Sequence, residues 1–168
     1  ALDDVRLFDR LDWMESLHRH CFADVPLRVI HATQGQSDAW LFLLAPNYQA
    51  GKDSLAGFKR SYKGEVVNEI YTPLGQLDFS AELAQIAAEQ PDAVFTFMPG
   101  GMGVNLVKQY NQAGLGSIPF LSAFTVDETT LPATQDAAVG FLGGATWAPD
   151  MDNEANKTFV SGYEEKYG

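Results

Sequence analysis

The sequence has a single cysteine, Cys21, so no disulfide can close within it. It is poor in basic residues: 11 lysines and arginines stand against 22 aspartates and glutamates, a formal charge of −11. Nucleic-acid binding needs a basic face to neutralise phosphates, so that partner class is excluded. Anionic membrane surfaces are disfavoured for the same reason. No apolar run approaches the roughly 18 residues of a membrane span, so no membrane insertion is predicted. Ala1 is soon followed by Asp3 and Asp4, which is not the basic-then-apolar opening of a signal peptide.

Catalytic and metal signatures are also missing. The histidines are His18, His20 and His31, and "HRHC" places two of them beside Cys21. Ligands at i, i+2 and i+3 point in different directions on a helix, and no second cluster completes a site. No metal is predicted. There is no G-x-S-x-G, and the histidines lie far from the glycine-rich part of the chain, so no Ser-His-acid set is indicated. The Asp150 and Asp152 pair reads as solvated loop charge. G-x-G-x-x-G and the P-loop pattern are both absent, so no nucleotide is called for. No catalytic residue and no cofactor are predicted; the chain reads as a non-enzyme.

What is present divides in two. Residues 1–39 form an atypical leader that holds all three histidines and the cysteine. Leu7, Leu11, Met14 and Leu17 recur with a helical rhythm, which predicts a helix over about residues 4–22. "LRVIHA" reads as a short strand and "TQGQSD" as a turn. Residues 40–168 alternate strand and helix patterns. "WLFLLA" is a continuous apolar run, the mark of a strand buried on both faces. A helix follows with Leu55, Phe58 and Tyr62 on one face. "EVVNEIYT" is the next strand. "DFSAELAQIAAEQPDA" is a helix with Ser80 as its N-cap, a core face of Leu83, Ile86 and Ala87, and Pro91 as its stop. "AVFTFM" is a strand, and the helix after it carries Val107 and Tyr110 and stops at Gly114. "IPFLSA" and "VGFLGGATW" are strands. The last helix starts at Asn153 and packs Phe159, Val160, Tyr163 and Tyr167. This order predicts an α/β unit: a mainly parallel sheet with helices on both faces.

Ligands on such sheets bind at the carboxyl ends of the strands. Those ends are "APNYQAGKD", "MPGGMG", "SAFTVDE" and "ATWAPD". Gly100 and Gly101 admit two readings: a tight turn that tolerates positive φ, or bare backbone that lets a ligand reach the helix start. Asn47 and Tyr48 end the first strand; Tyr48 offers a flat face and a hydroxyl, or simply caps a helix. Phe124, Asp127 and Glu128 follow a later strand, where acids also suit a helix start. Trp147 walls a cleft or covers a core edge.

Whole blocks of the second part resemble a known family. "LLAPNYQAGKDSLAGFKR", "GEVVNEIYTPLGQLDFSAELAQIAAEQPDAVF", "MPGGMGVNLVKQY" and "GGATWAPDMDNEANKTFVSGYEEKYG" are similar, in order, to type I periplasmic solute-binding proteins. These are the branched-chain amino-acid receptors of ABC importers. The resemblance covers about residues 40–168 and implies the second lobe of a two-lobed receptor. It implies a ligand-binding face of Asn47, Tyr48, Pro99, Gly100, Gly101 and Phe124; Asp127 and Trp147 are further candidates from the strand-end loops. It also implies a periplasmic or cell-envelope location, a missing first lobe and an ABC permease as partners. In amino-acid receptors of the family an acid near Phe124 holds the ammonium, so here either Asp127 substitutes or the solute lacks an α-ammonium. The solute is then an amino acid, an amide or an aromatic acid. Two other readings stay open: a ligand-sensing regulatory domain of the same fold, or a fragment that binds nothing and self-associates as a homodimer through its exposed aromatics.

Overall fold

A computed structural model describes residues 39–144, 147 and 149–168. The predicted leader helix, the "LRVIHA" strand and the His18–His20–Cys21 group lie outside the described residues.

The chain alternates strand and helix as the pattern demands. β1 (Trp40–Pro46) leads to α1 (Gln49–Ser61), then β2 (Glu65–Thr72) to α2 (Ser80–Glu89). β3 (Ala93–Phe97) leads to α3 (Gly101–Gln112), and β4 (Phe120–Ala123) to a short α4 (Leu131–Thr134). β5 (Leu142–Gly144) precedes α5 (Glu154–Tyr167). The strand order is β2-β1-β3-β4-β5, and every pairing is parallel. The expected α/β sheet is therefore present.

Helices cover both faces because β1 is apolar on both. Successive side chains of a strand point to opposite sides. Leu41, Leu43 and Ala45 pack with Leu55, Phe58 and Tyr62 of the α1 region and with Phe95 and Leu121. Phe42 and Leu44 pack on the other side with Leu83 and Ile86 of α2 and Leu106, Val107 and Tyr110 of α3. Burying one such side chain stabilises by roughly 1.5–3 kcal/mol. Tyr110 is fully buried, and its hydroxyl donates to the Ile118 carbonyl at 3.0 Å. Burial raises its pKa well above the usual tyrosine value.

Three local expectations are corrected. Ser80 is the first residue of α2, not its cap; the Asp78 carboxylate accepts from the Ser80 amide at 2.9 Å instead. Ala87 faces solvent, because the buried stripe of this short helix is only Leu83 and Ile86. Asn153 does cap α5, accepting from the Asn156 amide at 2.8 Å, but Phe159, Tyr163 and Tyr167 do not pack into the core. They lie exposed in a ring-against-ring row along the helix.

The first turn of α3 presses on the end of β3. A Cβ added at Gly103 would lie 2.0 Å from the Met98 carbonyl oxygen, whereas one at Gly101 would meet nothing within 4 Å. Gly103→Ala is therefore expected to destabilise the fold by about 1–3 kcal/mol, the usual cost of overpacking. Gly101→Ala is expected to be neutral or to stabilise by up to about 1 kcal/mol through helix propensity. Urea unfolding of the two variants checks the contrast.

Candidate ligand-binding crevice

The order β2-β1-β3 makes the chain leave β1 toward one side and return on the other. In open parallel sheets a ligand crevice is expected outside the carboxyl ends of the strands at such a switch, here β1 and β3. Loops that leave those two strands form its edges.

On the β1 side, the Asn47 amide donates to the Thr72 carbonyl at 2.7 Å and so prolongs the β1–β2 ladder. The Asn47 side chain is exposed, and Tyr48 is half-buried at the entry to α1. On the β3 side, Met98 is buried, Pro99 is half-buried, and Gly100 takes φ 64° and ψ −139°. Only glycine adopts that conformation without strain. Gly100 is also the N-cap of α3 and has no side chain to cap it. The first amides of a helix have no intrahelical acceptor, so this end presents bare donors and the positive end of the helix dipole.

Aromatic rings line the strand ends. Tyr48 and Phe97 have ring centroids 6.4 Å apart, and Phe97 meets Phe124 edge-on at 6.3 Å. Phe97 thus joins the β1 and β4 sides of the crevice. Phe97 is the last residue of a strand and not part of a loop, so the strand-end loops do not reveal it. The signal was there: Phe95 and Phe97 alternate onto the face that also carries Leu43 and Ala45. Phe124 has φ 55°. Left-handed backbone costs a non-glycine residue about 1–2 kcal/mol. Such strain concentrates at ligand clamps and active sites.

Asp127 is committed locally. Its Oδ1 accepts from the Thr129 amide at 2.9 Å, the Thr129 hydroxyl at 2.6 Å and the Thr130 amide at 3.1 Å. Burial pushes its carboxyl up, but the bonds from Thr129 and Thr130 outweigh it and hold the pKa below the usual aspartate value. Trp147 engages α5 and not the crevice rings. Its indole donates to Asn156 Oδ1 at 2.7 Å and its ring meets Phe159 edge-on at 6.1 Å. It lines an open, apolar cavity of about 640 Å³ with Met151, Asn156, Phe159 and Tyr163. That cavity lacks converging polar groups. The crevice combines rings, bare helix amides and a strained residue, and is the stronger candidate for a ligand. Among the described residues, no cluster of His, Cys, Asp and Glu is arranged to hold a metal, and no helix is long and apolar enough to cross a membrane.

Comparison with known proteins gives a consistent result. The profile of the family described as periplasmic binding protein matches residues 27–168, so it starts within the segment set apart above as a leader. The chain is 32% identical over 121 residues to the Leu/Ile/Val-binding protein homolog 6 of Brucella melitensis. That match covers 68% of this chain and 31% of the relative. A solute-binding protein of an ABC transporter from R. palustris, solved in complex with benzoate, is 32% identical with a TM-score of 0.68. The match covers 77% of this chain and 36% of that one. A solute-binding protein from Rhodopseudomonas palustris BisB5, in complex with 3,4-dihydroxybenzoic acid, is 31% identical with a TM-score of 0.68. It covers 84% of this chain and 40% of that one. The chain therefore spans about a third of the relatives' length.

Asp127→Ala is expected to cost about 1 kcal/mol of stability at neutral pH, the usual value of a carboxylate that caps backbone amides. The sign with pH follows from the lowered pKa. The stabilisation is complete above the unfolded aspartate value of about 3.9 and fades as pH falls through the lower folded value. Urea midpoints of parent and variant should converge on acidification.

Proposed function

The chain belongs to the periplasmic binding protein family, and from that premise we propose that it is the second lobe of a solute receptor of an ABC importer, selective for a small aromatic carboxylate. The observation that carries the solute class is the row Tyr48, Phe97 and Phe124 beside an uncapped helix start. A flat ring suits the aromatic walls, and its carboxylate suits the amides that follow Gly100. An α-amino acid would also need an acid for its ammonium. The strand-end acid available for that, Asp127, already spends Oδ1 on its own turn. The benzoate and dihydroxybenzoate complexes of similar proteins support the same class.

In this reading Asn47, Tyr48, Pro99, Gly100, Gly101, Phe97 and Phe124 face the solute, while Trp147 steadies α5. The opposing lobe supplies the remaining contacts and closes over the ligand. The receptor works in the periplasm and delivers its solute to a permease. It binds and releases its solute without catalysis, in keeping with its membership of the periplasmic binding protein family. Alone, the lobe exposes part of Phe124, which favours self-association.

Calorimetry on a receptor carrying both lobes tests the assignment against benzoates, amides and branched-chain amino acids. Benzoates are expected to bind, and Tyr48→Ala to weaken them by about 1–3 kcal/mol, the range of one good aromatic contact. Gly101→Val is expected to block the approach to the helix start and leave the sheet folded, since a Cβ there meets nothing. Binding of α-amino acids alone, abolished by Asp127→Asn, would contradict the solute class. Unchanged affinity in both crevice variants would contradict the location.

A further inference from the structure

One side chain joins two walls of the crevice from beneath. Thr125 is fully buried. Its hydroxyl accepts from the Met98 amide at 2.8 Å and donates toward the Ala123 carbonyl at 3.4 Å. Its own carbonyl accepts from the Thr130 hydroxyl at 3.0 Å. The same Thr130 oxygen accepts from the Asp127 amide at 3.0 Å. The Thr125 methyl lies over the first turn of α3, where a Cβ on Gly103 would come within 3.1 Å of it.

The position of this hydroxyl matters more than its presence. The β3–β4 ladder ends at the pair Phe97↔Ala123, so the Met98 amide is the first donor beyond it. Met98 is buried, and a buried amide needs a partner. Two other buried hydroxyls serve strands that the ladder already joins: Thr96 donates to the Leu44 carbonyl, and Ser122 to the Leu142 carbonyl. Thr125 instead joins the start of the glycine loop to the turn after β4. Phe97 immediately precedes Met98, and Phe124 immediately precedes Thr125. A single bond thus sits one residue from each member of the edge-on ring pair.

We propose that Thr125 is a positioning residue of the crevice: its bond to the Met98 amide sets the spacing of the Phe97 and Phe124 rings and the aim of the amides that open α3. It never touches the solute, yet the affinity for an aromatic carboxylate depends on it. The affinity part rests on the reading of the crevice as the solute site; the geometric part does not.

Two variants of this chain separate the roles of hydroxyl and methyl. Thr125→Val keeps the shape and loses the acceptor, while Thr125→Ser keeps the acceptor and loses the methyl. Without ligand, amide exchange by NMR should show Met98 losing protection about tenfold in Thr125→Val, the scale of one hydrogen bond. The ring-to-ring NOE between Phe97 and Phe124 should weaken, with Leu43 and Phe95 amides unchanged. Thr125→Ser should restore both signals. In titrations of the two-lobed receptor with benzoate, Thr125→Val should bind about tenfold more weakly and Thr125→Ser within about twofold of the parent. A Thr125→Val chain with Met98 still protected and the ring contact intact overturns the proposal. So does a two-lobed Thr125→Val receptor that binds benzoate as tightly as its parent. If Thr125→Val does not fold, Thr125→Ser decides: retention of both signals supports the hydroxyl, and their loss assigns the spacing to the methyl and overturns the proposal. A two-lobed parent receptor that ignores benzoate overturns the solute reading, and the exchange and ring-contact data then judge Thr125 alone.

Discussion

Every residue of β1 from 41 to 46 is buried, and its side chains alternate between two apolar faces. Such a strand has no side that tolerates water. Helices must cover both faces, which parallel strands with helical crossovers achieve. The chain meets this demand by sending α1 to one face and α2 and α3 to the other. That division of helices is what reverses the direction of winding between β1 and β3. The crevice is therefore a by-product of covering the central strand, and its position follows before any side chain in it is specified.

The crevice gains its character from close approach. Glycine at 103 brings the first turn of α3 against the Met98 carbonyl, and glycine at 51 brings α1 to 2.1 Å, measured from a notional Cβ, of the Pro46 carbonyl. Both helix starts are thereby drawn up to the strand ends. Gly100 then leaves the α3 amides uncapped. The rings of Tyr48, Phe97 and Phe124 surround a polar spot with flat apolar surface. The Thr125–Met98 bond keeps two of these rings in register.

The architecture was legible in the sequence because its signals are repeated and collective. The apolar run of β1, the Leu55–Phe58–Tyr62 stripe and the strand-loop-helix at Gly100 all appear where the pattern placed them. Single side chains were less legible. Ser80 lost the capping role to Asp78 because capping depends on a turn of one residue, finer than any periodicity. The aromatic row of α5 has helical spacing whether it faces a core or solvent, so spacing alone could not tell its exposure. Asp127 lies beyond β4 and Trp147 beyond β5, which is shorter than the "VGFLGGATW" strand expected to end at it. The partners that engage them, Thr129, Thr130 and Asn156, follow from local turn geometry. Phe97 was hidden by its place inside a strand. Thr125 gave no signal, since its function is a bond across two loops that the sequence does not bring together.

The central claim is that the solute lies at the β1/β3 switch, against aromatic rings and the start of α3. Chemical-shift mapping of a receptor carrying both lobes, with benzoate, tests it most directly. The account predicts shifts at the amides of Gly100, Gly101 and Met102 and at the rings of Tyr48, Phe97 and Phe124. Shifts confined to Trp147, Met151, Phe159 and Tyr163 would contradict it and move the site to the flank of α5.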